Sequence, residues 1–159
     1  MNNTTTPEVA LQNMGAKMIS IFRGRLAEKN KNASGETSKS LELQIPDLGE
    51  NNYGVDIYGN PSWRWIDEGR KTTKPGTPKG DPSLKDVILK WMQVRGIVAT
   101  DISQESLAYL IARKIHREGY PATMIFTDGI REFLQGDNFG ELTAAIANKL
   151  LQMPDKIEL

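Results

Sequence analysis

A chain of 159 residues with 38% hydrophobic content is sized for one domain with a modest core, and its 20 basic and 20 acidic residues leave it formally neutral. It holds no cysteine and one histidine, His116, which excludes disulfide stapling and thiolate metal sites and argues against a His-based zinc site. Gly-x-Ser-x-Gly, Walker and dinucleotide-binding patterns are missing as well, so no nucleophile or cofactor set assembles from local motifs, and function must be read from surfaces.

The N-terminus has no basic segment followed by an apolar run, and nowhere do 18 apolar residues follow one another; the expectation is a soluble, unexported protein. Thr6, Pro7 and Glu8 form a helix start: a capping hydroxyl, a proline at the first helical position and a carboxylate near the positive end of the dipole. The helix should run from about Pro7 to Lys29, with Leu11, Met14, Met18, Phe22 and Leu26 as its buried stripe and Gly15 and Gly24 as weak points. Residues 30–39 have no apolar periodicity and read as a mobile loop, residues 1–6 as a flexible N-terminus, and 153–159 as a flexible or interface-ordered tail.

Leu41, Leu43 and Ile45 alternate with polar residues, as do Tyr53, Val55 and Ile57, which predicts an antiparallel hairpin with one apolar face. The stretch SWRWIDEG, residues 62–69, fits either a third strand with Trp63 and Trp65 on one face or a helical turn clustering Trp63, Ile66 and Asp67. Residues 70–82, rich in proline and glycine, should lie outside the sheet as a mobile, extended arm. Ser83 and Asp86 make a capping-box variant opening a helix that ends at Gly96, with Leu84, Val87, Ile88, Trp91 and Val94 as its inner face. A further helix should span Gln104 to Arg117 with Leu107, Leu110, Ile111 and Ile115 inward, followed by a short strand at Thr123 to Phe126 and helical pieces at 128–134 and 139–151. The predicted fold class is α+β, one domain over 1–159: a small antiparallel sheet packed by an N-terminal helix and several C-terminal helices.

Charge is unevenly placed, at +3, −5, +5 and −3 over residues 1–35, 36–69, 70–95 and 96–159. Alternating signs suit complementary faces on copies of one chain, although most exposed charge is simply solvated. Asp67 and Glu68 are the one carboxylate pair beside aromatic and basic residues, yet sequence neighbours diverge on a strand or a helix, which disfavours a two-carboxylate mechanism. His116 reads as a surface residue near a helix C-terminus beside Arg113, Lys114 and Arg117. Trp63 and Trp65 followed by Arg70, Lys71, Lys74 and Lys79 also fit a nucleic-acid patch, with cations on phosphate and rings on bases. Against it stands the overall neutrality, and tryptophan more often fills a core or anchors a protein interface.

The segment YGNPSWRWIDEGRK with its basic loop, the middle helix SLKDVILKWMQVRGI, and SLAYLIARKIHREGYPATMIF at 106–126 together resemble small neck and tail-completion proteins of tailed bacteriophages, over roughly residues 53–150. The chain departs from that pattern in the long loop after Arg70, the break at 136–140 and the tail. The resemblance implies a non-enzymatic virion protein without cofactor or metal, forming a six- or twelvefold ring between portal or connector and tail. It further implies contact with neighbouring virion proteins, secondary non-specific contact with genome DNA, and no membrane. On this resemblance Trp63, Trp65 and Ile66 anchor packing under the loop, Asp67 and Glu68 pair with cations, and Arg70, Lys71, Lys74 and Lys79 meet adjacent proteins. A small nucleic-acid-binding accessory protein using the tryptophan and basic-loop surface is the alternative.

Overall fold

A computed structural model describes residues 5–31, 34–49 and 52–152; of the ends expected as flexible, residues 1–4 of 1–6 and all of 153–159 lie outside the described residues, while Thr6 is the N-cap of the first helix. The fold is α+β, with α1 (Pro7–Glu28), α2 (Glu36–Lys39), β1 (Glu42–Gln44), β2 (Asp56–Tyr58), α3 (Ser62–Glu68), α4 (Leu84–Arg95), α5 (Gln104–Glu118), α6 (Ile125–Gln135) and α7 (Gly140–Leu151).

The first helix forms as its start signals dictate: Thr6 is extended and its hydroxyl accepts from the Val9 N–H at 3.4 Å, with Pro7 in the first turn. Of its expected stripe Leu11, Met14, Phe22 and Leu26 are buried, while Met18 is half-buried and Ile19 is the buried residue beside it; against this face lie the hairpin, α6 and α7. Gly15 is no weak point in this setting. A Cβ there would meet the Leu43 and Val55 methyl groups, so a larger residue would push those side chains aside where the sheet sits on the helix.

The hairpin is antiparallel, with Glu42 opposite Tyr58, Leu43 opposite Ile57 and Gln44 opposite Asp56. Leu43 and Ile57 point toward the core of Ile19, Phe22, Leu26, Leu41, Ile125 and Phe126, while Glu42, Gln44, Asp56 and Tyr58 face outward. The segment 30–39 departs from the expected loop: its second half forms α2, entered through Gly35 in the left-handed region at φ 73°. Thr37 in that turn is buried and its hydroxyl lies 3.2 Å from that of Ser62.

The stretch expected as a strand at Thr123 to Phe126 is not one. Met124 takes a left-handed conformation at φ 53°, and α6 begins at Ile125, three residues before the predicted start. Phe126 then stacks edge-on against Phe22 of α1 at 5.0 Å between centroids. The short run Thr123 to Phe126, read locally as a strand, is drawn into a helix at Ile125, which places Ile125, Phe126 and Phe133 into the core together.

Helices α4 and α5 pack chiefly on each other as a hairpin. Both begin on serine caps: Ser83 accepts from the Asp86 N–H at 3.4 Å and Ser103 from the Ser106 N–H at 3.1 Å. Gly96, at φ 63°, closes α4 in the left-handed conformation that its sequence position predicts. Among the described residues, no helix is long and apolar enough to cross a membrane.

Candidate assembly surface

Of the two readings for residues 62–69, the helical one is observed. Asn60 starts it: its backbone oxygen accepts from Trp63 N–H at 3.0 Å and its side-chain oxygen from Ser62 N–H at 2.9 Å. Helical spacing then puts Trp63, Ile66 and Asp67 on one side, and Trp63 meets Phe126 edge-on at 5.6 Å. The rings of Phe22, Phe126 and Trp63 thus link α1, α6 and α3 in one aromatic chain.

Asp67 and Glu68 separate completely. Asp67 is 4% exposed, and its carboxylate accepts from Phe126 N–H at 2.7 Å, Thr127 N–H at 3.3 Å and the Thr127 hydroxyl at 2.6 Å. Its backbone oxygen accepts from Thr123 N–H and Met124 N–H, and the Thr123 hydroxyl donates to the Ile66 oxygen. A carboxylate at the start of α6 satisfies orphan amides and favours the helix dipole. Asp67 pairs with no cation among the described residues; it caps a helix 58 residues downstream. Glu68 does meet a cation, Arg64 of its own helix at 3.0 Å, where both side chains are exposed and the pair contributes little. The two carboxylates converge on no common point.

Gly69 and Gly119 complete the joint. Both have positive φ, 73° and 71°, and the backbones of Arg70 and Tyr120 exchange two hydrogen bonds of 2.9 Å. A Cβ on Gly69 would stand 2.5 Å from the Tyr120 oxygen, and one on Gly119 would overlap the Arg70 oxygen. Only glycine admits so close an approach of two main chains. Burial raises the Tyr120 phenol above its ordinary value, with the Arg70 charge acting in the opposite direction. His116 extends the seam: its backbone oxygen accepts from Thr73 N–H at 2.8 Å, and its Nδ1 lies 2.7 Å from the Thr73 hydroxyl.

Beyond Thr73 the arm stands free of this seam. Lys71, Lys74 and Lys79 are exposed and form no ion pair among the described residues. The two tryptophans differ: Trp63 meets Phe126, whereas Trp65 is 54% exposed. Among the described residues no group of three or more histidines or carboxylates is placed to hold a metal ion.

The α4 expectation also needs correction. Val87, Trp91 and Val94, predicted as inner face, are exposed by 46%, 38% and 46%, and Leu110 of α5 by 49%. The buried residue of α4 is Met92, at 1%. The apolar arc of α4 is wider than one packing partner can cover, since Leu84, Ile88, Leu89 and Met92 continue it around the helix. That breadth was visible in the sequence and marks two faces. No protein-family model, curated protein or solved structure matches this chain.

Proposed function

We propose that this chain is a structural virion protein of the phage neck, forming a ring between portal or connector and tail and helping head–tail joining or tail completion. One observation carries the reading: the two separated stretches that resemble the family are a single structural unit. Residues 66–70 and 119–127 are bound to each other by main-chain hydrogen bonds, two facing glycines and the Asp67 cap. A joint of that kind fixes the root of the cationic arm while leaving Lys71, Lys74 and Lys79 outside for neighbouring proteins. Repeated contacts, each modest, become strong when every subunit of a ring binds at once.

Particles assembled with an epitope-tagged copy of the chain test this. The tag should appear at the head–tail junction as ring density, and its absence from purified particles ends the reading. A second reading, a nucleic-acid-binding accessory protein, is favoured by the exposed Trp65 ring and the unpaired arm lysines. Three lysines on phosphate give a slope of about −2.7 in log K against log salt, and absence of DNA binding at low salt removes this reading.

A further inference from the structure

The outward face of α4 has the shape of an interface. Val87, Trp91 and Val94 recur at four and three residues on one side of the helix, and Val98, 74% exposed, extends the apolar surface past its end.

Charge identifies the partner. Lys74, Lys79 and Lys85, on the arm leading into α4 and in its first turn, have no ion pair among the described residues and outnumber the acids of the same stretch, Asp81 and Asp86. Two α4 faces set against each other would bring these cations together, which disfavours a symmetric contact. The outward face of the β1–β2 hairpin is the complement: Glu42 lies opposite Tyr58, whose hydroxyl donates to Asp56 at 3.3 Å, and neither acid has a cation among the described residues. Tyr58 is 51% exposed and supplies the apolar surface for Trp91 and its neighbours.

We propose that the α4 face, with the lysines beside it, docks on the Glu42–Tyr58–Asp56 face of the hairpin in a second copy of this chain. The contact is heterologous, so each copy offers one face and receives on the other, and a ring results if the rotation closes. It deepens the neck reading and rests on it for the ring.

Sedimentation of the full chain and two charge-reversed variants, K74E/K79E and E42K/D56K, tests the pairing. The wild type should assemble, each variant alone should assemble at least tenfold more weakly, and an equimolar mixture of the two variants should form mixed pairs. Trp91→Ala, on an exposed position, should weaken self-association roughly thirtyfold with an unchanged circular dichroism spectrum. A wild type that stays monomeric at high concentration overturns the second copy as occupant. Assembly unchanged in W91A, or variants that do not rescue each other, overturns the pair of faces. Variants that assemble normally yet locate to the head–tail junction sink this inference and leave the neck reading standing; rescue in solution by a protein absent from particles does the reverse.

Discussion

Single side chains decide more here than their exposure suggests. Asp67 accepts three hydrogen bonds at the start of α6, so Asp67→Ala strands the Phe126 and Thr127 amides in a buried site. We expect a loss of about 2–3 kcal/mol in urea unfolding, whereas Glu68→Ala, which removes an exposed pair, should change stability by less than about 0.5 kcal/mol. Equal effects from the two substitutions would refute the capping role. Tyr120 carries a pH signature: burial disfavours its phenolate, so its folded value lies above that of the unfolded chain. Its contribution is fully present below the ordinary tyrosine value and is lost as pH rises from there through the folded value. Alkaline denaturation followed by tyrosinate absorbance should show this loss, and Tyr120→Phe should remove that part of it.

At the scale of elements, the α4–α5 hairpin is tied to the body at few points. Arg95 donates to the Asn30 side-chain oxygen at 2.7 Å and to its backbone oxygen at 2.6 Å, just beyond the end of α1. The Lys90–Glu36 pair is exposed and adds little. Arg95→Ala should therefore lower the free energy of local opening in α4 and α5 by about 1–2 kcal/mol and leave α1 and α6 nearly unchanged. Hydrogen exchange resolves the two cases; uniform loss of protection across all four helices would show that the hairpin is not a separate unit. The glycine seam is the second tie, and it acts through the backbone. Gly119→Ala forces a side chain onto the Arg70 oxygen at a positive-φ position, so it should part the Arg70–Tyr120 bridge and expose those amides to exchange.

For the whole molecule, the proposed docking of copies through the outward α4 face makes stability a matter of concentration. If copies bind only in the folded state, mass action raises Tm with protein concentration. A tenfold increase should raise Tm by a few degrees, and a Tm independent of concentration would mean that the exposed surface is not covered by other copies. Calorimetry over a hundredfold range measures it directly.

The legible parts were those written in local chemistry. The Thr6-Pro7-Glu8 start, the serine caps at Ser83 and Ser103, the Gly96 stop and the alternation around Leu43 and Ile57 each rest on a few adjacent residues, and each appears where the sequence placed it. Tertiary structure decided what adjacency does not encode. Nothing local to Asp67 or Thr127 marks them as partners, because a helix cap supplied from 58 residues away is a packing result. Residues 62–69 fitted strand and helix equally until Trp63 found Phe126. The apolar spacing of α4 predicted Val87, Trp91 and Val94 on its inner face, but only the fold shows that Met92 is the buried residue there and that Val87, Trp91 and Val94 face outward. Periodicity specifies which residues share a face; which face finds a partner depends on the rest of the chain.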